Sequence, residues 1–264
     1  MYLMDYHHHT NNSHDSQAIM EDVCKSAIER GIKEICFTEH YSLNPLAPTY
    51  DHLVPDKFIE EVKKNQNHFM NQLDIRAGIE ICEPHQMMDE YRKVLEPLPF
   101  DFILGSVHNI NNMKLRLYME NKKKDDVYRG YFSELYEMVS MADIDIIAHL
   151  DLMKRYALTT FGNYDFIDYK ELIEAILKKA IERNIGIEIN TSGLRGALKE
   201  TLPTFSVLKL YKELGGEILT IGSDSHAAKT VGANLKDAYV MASEAGFKYI
   251  FQYEKRNPIA VSLG

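Results

Sequence analysis

Four histidines lie within eight positions near the start of the chain, in the stretch DYHHHTNNSHDS at residues 5–16, and Asp15 follows the last of them. Such a run is common in purification tags. It is also typical of a metal site, because zinc, iron and manganese take imidazole nitrogens and carboxylate oxygens as ligands. At a strand end, His7 and His9 point to one side and His8 to the other. The stretch therefore predicts a tag or part of a metal site, and the rest of the chain decides between them.

Further potential ligands each follow a short apolar run. In chain order they are His40 (FTEH), Glu80 (AGIE), His108 (GSVH), His149 (IIAH), Asn190 (EIN), and Asp224 with His226 (GSDSH). A tag has no reason to match a pattern that recurs along the whole chain. We therefore interpret His7 and His9 as members of one constellation, whereas His52, His68 and His85 fit ordinary surface or core positions.

The elements that must position these side chains are short apolar runs separated by segments with helical spacing. The runs that predict strands are YLMDY, IKEICFT, DIRAGIE, DFILGSV, IDIIAH, IGIEIN and ILTIGS, with FKYIFQY as a candidate eighth. One predicted helix runs from about Ser16 to Arg30, and another carries an apolar stripe from Ile173 to Ile181. The alternation predicts a parallel sheet with crossovers, in either an open doubly wound sheet or a closed barrel. In both folds the carboxyl ends of the strands gather on one face, so the potential ligands converge.

The composition is that of an ordinary globular protein, and we expect a single domain over residues 1–264. The 30 Lys and Arg against 39 Asp and Glu give a net charge of −9, which argues against a nucleic-acid partner. No apolar stretch reaches the length of a membrane span, and MYLMDY lacks the features of a signal peptide. Cys24, Cys36 and Cys82 lie in apolar segments and are predicted to be buried, reduced thiols, so we expect a cytoplasmic location and no membrane partner.

The order HxHT, EH, GIE, SVH, AHLD and GSDSH resembles the polymerase-and-histidinol-phosphatase (PHP) superfamily over roughly residues 3–230. The chain length, HLDL after strand five and NTSGLR after strand six are most similar to its stand-alone histidinol-phosphate phosphatases. The resemblance implies an α/β fold, a distorted, TIM-barrel-like (β/α)7 barrel. It also implies two or three divalent ions, which would be zinc, manganese or iron.

The resemblance further implies a ligand set. One ion would be held by His7, His9, Glu80 and Asp224; a second by Glu80, His108 and His149; and a third by His40, His226 and a side chain from the first loop. Many relatives have a histidine eight residues after the first histidine of HxH, but here that position is Asp15, with His14 just before it. We favour Asp15 as the third ligand because aspartate is a competent hard ligand, and His14 is the alternative.

Such a centre predicts hydrolysis of a phosphate monoester by attack of a metal-bridging hydroxide on phosphorus, with Glu80 and Asp224 holding the ions. The third ion or His226 would serve the leaving alkoxide. The motifs G-x-S-x-G and G-x-x-x-x-G-K-[ST] are absent, and no side-chain nucleophile is needed. The implied substrate is L-histidinol phosphate, a step of histidine biosynthesis.

Arginines are the expected second contact for phosphate, because the guanidinium fork matches two oxygens. Arg155 and Arg195 lie in the loops after strands five and six, on the predicted active face. Ser42 and Asn109 are further candidates for substrate contact. Arg116 follows strand four, where a surface role is the simplest interpretation.

Three alternatives stay open at this point. The same metal site would also suit a phosphodiesterase or a nucleotide phosphatase, since specificity lies in loops. Related barrels hydrolyse amides, although some use a bridging lysine and no predicted strand end supplies one. A metal-binding regulatory protein is the non-enzyme alternative. The sequence leaves metal identity and oligomeric state open.

Overall fold

The computed structural model describes residues 1–263, which alternate strands and helices along most of their length. The strands are β1 (Leu3–His8), β2 (Ile32–Tyr41), β3 (Asp74–Cys82), β4 (Phe102–Ser106), β5 (Asn109–Ile110), β6 (Met113–Lys114), β7 (Ile146–Ile147), β8 (Gly186–Asn190), β9 (Leu219–Gly222), β10 (Tyr249–Glu254) and β11 (Asn257–Ser262). The helices are α1 (Met20–Glu29), α2 (Pro55–His68), α3 (Met88–Leu95), α4 (Leu115–Tyr118), α5 (Lys124–Met141), α6 (Met153–Phe161), α7 (Phe166–Glu182), α8 (Ser192–Arg195), α9 (Phe205–Glu213) and α10 (Leu235–Glu244).

Seven strands form one parallel sheet in the order β1-β2-β3-β4-β7-β8-β9. The segment after β9 returns to β1: the backbone N–H of Asp224 donates to the carbonyl of His7 (2.8 Å), and that of His9 donates to the carbonyl of Ser225 (2.9 Å). The sheet is therefore a nearly closed barrel, which decides between the two predicted architectures. All seven predicted strands are confirmed, and their near-continuous apolar character follows from burial on both faces.

Three predicted elements differ in detail from the structure. The fifth strand is paired only at Ile146 and Ile147, because the chain leaves the sheet at His149, whose φ is 27°. The first helix begins at Met20, since the hydroxyl of Ser16 is bonded to the carbonyl of His9 within the first loop. The candidate eighth strand forms β10 but pairs antiparallel with β11, outside the barrel sheet.

The hairpin β10–β11 packs at the amino end of the barrel, opposite the predicted active face. The backbone N–H of Tyr253 donates to the hydroxyl of Tyr6 (2.8 Å), whose ring meets Phe102 edge-on at 5.2 Å. Arg256 reaches Asp145, which precedes β7 (3.0 Å). These contacts fill the amino end of the barrel with packed side chains.

The helices pack around the barrel through apolar stripes, as α7 shows. Its residues Ile173, Ile176, Leu177 and Ala180 are fully buried, as the spacing predicts, and Asp165 caps its start by accepting from the backbone of Ile167 (3.1 Å). Among residues 1–263, no helix has both the length and the apolar character needed to cross a membrane.

Candidate active site

Four ligand atoms from three strand ends converge at the carboxyl face of the barrel. Nε2 of His7 lies 3.0 Å from Nε2 of His9, and these two nitrogens lie 3.5 and 3.6 Å from Oε2 of Glu80. Oδ1 of Asp224 lies 3.8 Å from the first nitrogen and 3.6 Å from the second. An ion with bonds of about 2.0–2.2 Å needs its ligand atoms roughly this far apart. We call these four residues the first cluster.

The other carboxylate oxygen of Glu80 faces a second group of imidazoles. Its Oε1 lies 2.9 Å from Nε2 of His149 and 3.7 Å from Nε2 of His108. The pleat of β3 and its pairing with β4 place Glu80 between the two groups, with one oxygen toward each. The carboxylate is thus in the position that a bridging ligand requires.

A third group lies at the mouth of the barrel. Oδ2 of Asp15 is 3.5 Å from Nε2 of His40 and 3.5 Å from Nε2 of His226. The imidazole of His14 lies beside these residues, with its ring centre 5.8 Å from that of His40. The structure therefore brings Asp15, rather than His14, between the two histidines.

The charge states of four of these side chains suit metal binding. Burial lowers the pKa of His9 well below its ordinary value and that of His108 to about 3, so both rings are neutral and offer a lone pair. Burial alone would raise the pKa values of Glu80 and Asp224, but the surrounding imidazoles outweigh it and hold both well below the ordinary range. Both carboxylates are therefore charged at neutral pH.

Three buried imidazoles surround Oε2 of Glu80, which supports a fit to a cation at this carboxylate. Nδ1 of His40 lies 2.7 Å from this oxygen, and Nε2 of His7 and Nε2 of His9 lie 3.5 and 3.6 Å from it. In addition, the two imidazole nitrogens of His7 and His9 face each other at 3.0 Å, which is unfavourable unless a proton or an ion lies between them. The donor set, imidazole with carboxylate, suits zinc, iron or manganese.

Two of the site residues have strained backbones. His149 and Asp224 have φ values of 27° and 49°, in the left-handed region that non-glycine residues seldom adopt. Such conformations cost about 1–3 kcal/mol each and are retained where the surroundings over-determine them. In both cases the turn directs a side chain inward at the point where the strand ends.

Glu188, which the sequence analysis missed, accepts hydrogen bonds that orient the potential metal ligands. Its Oε1 accepts from Nδ1 of His7 (2.7 Å), and its Oε2 accepts from the backbone N–H of His149 (2.8 Å) and from the amide of Asn190 (3.1 Å). That amide also lies 3.3 Å from Oδ2 of Asp224. One buried carboxylate therefore orients ligands of two groups. The signal was available: Glu188 is an acidic residue inside the apolar run IGIEIN.

Two further buried carboxylates on the strands β1 and β2 have similar roles. Glu39 accepts from the hydroxyl of Ser13 (2.6 Å), which in turn contacts Nδ1 of His9 (3.1 Å). Asp5 accepts from the backbone and the hydroxyl of Ser223 (2.7 and 2.6 Å) and so anchors the residue before Asp224. The chain from Glu39 through Ser13 fixes which nitrogen of His9 faces the cluster, and Asp5 positions the backbone that carries Asp224.

A cleft of about 680 Å³ opens beside the three groups. Asn109 and Arg155 line it, and the Arg155 guanidinium is bonded to the hydroxyl of Ser192 and lies 3.7 Å from Oδ2 of Asp224. Lys114 and Arg116, on the short β5–β6 hairpin and α4, also line it, although a surface role was the simplest interpretation of Arg116.

The other two predicted substrate residues lie elsewhere. Arg195 donates to the carbonyls of Ser223 (2.7 Å) and Asp224 (3.1 Å), and Ser42 is buried with its hydroxyl bonded to the backbone of Asn44 (3.2 Å). Neither is among the described residues that line the cleft. Their contact with substrate stays a prediction.

The remaining histidines occupy ordinary positions. His8 packs against Phe37 (5.9 Å between ring centres), away from the cluster as strand alternation predicts. His85 is bonded to Glu134 (2.9 Å), and His52 and His68 are exposed.

Comparison with known proteins places this site in context. The family model described as "PHP domain" matches residues 5–192. The chain is 33% identical to a Clostridium acetobutylicum protein named "Probable histidinol-phosphatase", covering 96% of this chain and 98% of that protein, and 29% identical to the "Histidinol-phosphatase" of Lactococcus lactis, covering 94% and 93%.

A solved structure is similar over almost the whole chain. It is the crystal structure of histidinol phosphate phosphatase from Lactococcus lactis complexed with zinc, L-histidinol and phosphate, with a TM-score of 0.91, 26% identity, and coverage of 97% of this chain and 98% of that one. The family model spans more than half of the chain, and it includes the first five strand ends of the site. This chain therefore belongs to the PHP domain family.

Proposed function

We propose that this protein is a metal-dependent phosphomonoesterase that hydrolyses L-histidinol phosphate to L-histidinol and phosphate. The observation that carries the proposal is the first cluster, in which Nε2 of His7 and Nε2 of His9 lie 3.0 Å apart and each lies 3.5–3.8 Å from one oxygen of Glu80 and one of Asp224. The same Glu80 also faces a second group. The full-length similarity to proteins named histidinol-phosphatases, one of them solved with L-histidinol and phosphate, supports this substrate.

We propose two or three bound divalent ions, zinc, manganese or iron. The first cluster would hold one, Glu80 with His108 and His149 a second, and Asp15 with His40 and His226 a third. When bound, such ions lower the pKa of water and neutralise phosphoryl oxygens. The chain contributes the spacing, because the two oxygens of one buried carboxylate face different groups.

The side chains of the cleft would bind and orient the monoester. Lys114, Arg116 and Arg155 give one wall of the cleft a positive charge, although the net charge of the chain is −9. The phosphoryl group would lie against Arg155, which lines the cleft with its guanidinium 3.7 Å from Oδ2 of Asp224. The cleft volume is in the range of small-molecule sites, which suits a small monoester better than a polymer.

Where the chain binds only two ions, His226 is the side chain that we propose to move a proton to the leaving oxygen. Burial alone would lower its pKa, but Asp15 and Asp224 outweigh burial and raise the pKa above its ordinary value. Its Nδ1 faces the carbonyl of Asp224 (3.2 Å), which leaves Nε2 for a proton or for the third ion.

Two further proposals concern the whole chain. Residues 1–264 would act as one domain, supported by the contacts of Tyr253 and Arg256 with the barrel. The cytoplasm is the proposed location, supported by the three cysteines, all free and buried.

The test is phosphate release from L-histidinol phosphate before and after chelation, and again after zinc or manganese is restored. We expect chelation to abolish release and restored metal to recover it. Glu80→Ala and His149→Ala should each lose at least about 100-fold, since each removes a ligand. His68→Ala, an exposed histidine on α2, is the matched control. Full activity in either ligand variant would contradict the mechanism, and faster hydrolysis of a nucleotide or a diester would contradict the substrate.

A further inference from the structure

One of the three cysteines lies on the wall of the cleft. Cys82 is the last residue of β3, two residues beyond Glu80, so strand alternation places both side chains on the same face of the sheet. Its sulfur is 3.3 Å from Nδ1 of His108, and the thiol is free and lines the cleft. Among the described residues, Cys24 and Cys36 belong to no comparable group of ligands.

We propose that His40, Cys82 and His108 form a further metal site, selective for thiophilic divalent cations such as Zn²⁺, Co²⁺ and Cd²⁺, with Cys82 bound as the thiolate. One donor atom from each residue lies within 4.8 Å of the other two. Around a tetrahedral zinc ion with Zn–S of about 2.3 Å and Zn–N of about 2.0–2.1 Å, sulfur and nitrogen are roughly 3.5 Å apart. The observed 3.3 Å between Sγ and Nδ1 is close to that separation.

The chemistry of sulfur gives the site its selectivity. As the sulfur–metal bond forms, the thiol proton passes to solvent, so binding releases one proton from this residue. Thiolate favours soft and borderline ions over manganese, for which oxygen ligands are better. All three residues line the cleft, so the fourth coordination position faces its solvent.

The site shares two residues with the proposed catalytic centre. His40 and His108 are also the proposed ligands of the third and second ions, so an ion held by Cys82 would compete for both imidazoles. This competition for His40 and His108 rests on the proposed function. It predicts that excess Zn²⁺ or Cd²⁺ inhibits phosphate release, whereas excess Mn²⁺ does not. The metal-binding step itself does not depend on activity.

The decisive test is optical absorption of the full chain loaded with Co²⁺, with metal content measured by elemental analysis. We expect a thiolate-to-cobalt charge-transfer band in the near ultraviolet. Cys82→Ser should lose the band, because serine keeps a hydrogen-bonding oxygen but gives no sulfur charge transfer. Cys24→Ser should retain it. X-ray absorption of the zinc-loaded wild-type chain should show a sulfur scatterer at about 2.3 Å.

A fully loaded wild-type chain with neither the band nor the sulfur scatterer would overturn the inference, whether or not any variant folds. If that chain still hydrolyses L-histidinol phosphate, only the sulfur ligand is refuted. If the band is present in the cobalt-loaded chain and the manganese-loaded chain does not hydrolyse L-histidinol phosphate, the proposed function is refuted and the metal site stands.

Discussion

Glu188→Gln is the substitution that most sharply tests how the barrel orients its ligands. The glutamine has the same shape, but one carboxylate oxygen becomes an amide NH₂. If the amide oxygen keeps the bond from the backbone of His149, the NH₂ faces Nδ1 of His7 and donates to it. His7 must then carry its proton on Nε2, the nitrogen that faces the first cluster, and it is lost as a ligand.

The opposite amide orientation is no better, because the NH₂ would face the backbone N–H of His149 and leave a buried donor unpaired. The bond that is lost, 2.7 Å long between buried groups, is a charge-assisted one and contributes about 1.5–3 kcal/mol. This free energy corresponds to roughly 10–100-fold weaker metal affinity, the size of effect typical of partners behind metal-bound histidines.

The assay is competition for zinc between the protein and a chromophoric chelator, with folding checked by circular dichroism. Glu34→Gln is the matched control, since Glu34 is also a buried strand carboxylate but is bonded to Tyr6 and Arg76 rather than to a ligand. Glu34→Gln should lower stability and leave zinc affinity unchanged. A folded Glu188→Gln protein with zinc affinity within twofold of wild type would refute the reasoning.

Three further predictions follow from the same site. Arg155→Met should lower kcat/KM about 10–100-fold by removing a phosphate contact. Arg183→Met, which loses bonds to the backbone carbonyls of Val139 and Ala142 away from the cleft, should act mainly on the melting temperature. Steady-state kinetics and calorimetry separate the two, and equal kinetic losses would contradict the assignment. Removing the ions should lower the melting temperature by about 10 °C, because a ligand present at 1,000 times its Kd stabilises the folded protein by about 4 kcal/mol. An unchanged melting temperature after verified metal removal would argue against a buried metal centre. For His7 and His40, burial alone would lower the pKa, but the adjacent carboxylates outweigh burial and raise the pKa well above the ordinary value, so both are protonated at pH 7 without metal. Because a metal-bound imidazole is neutral, metal binding must release protons and metal affinity must rise with pH. Calorimetry in buffers of different ionisation enthalpy will show this release, and equal heats in all buffers would contradict it.

The ligands could be predicted from the sequence because parallel strands deliver their carboxyl ends to one face, whatever the loops do. His7, Glu80 and His149 each follow an apolar run, and that position alone fixes their common location. The seven strands were predictable because each is a short apolar run of the kind that is buried on both faces of a parallel sheet. The choice of a closed barrel was not, because closure depends on the contact of the segment after β9 with β1, between residues more than 200 positions apart.

The wall of the cleft was less predictable because it depends on loop conformation. Lys114 and Arg116 reach the cleft only through the short β5–β6 hairpin and α4, whereas Arg195 turns back toward the carbonyls of Ser223 and Asp224. Glu188 carried a readable signal, an acid within a buried strand, but its partner His7 lies 181 positions away.

We propose that side chains from distant strand ends together hold the ions used in hydrolysis of the ester. Anomalous diffraction from crystals grown with zinc or manganese, recorded at the absorption edge of the metal, will show whether they do. We expect one peak enclosed by His7, His9, Glu80 and Asp224, and a second beside Glu80 and His149. Active crystals in which these side chains are unliganded would contradict it.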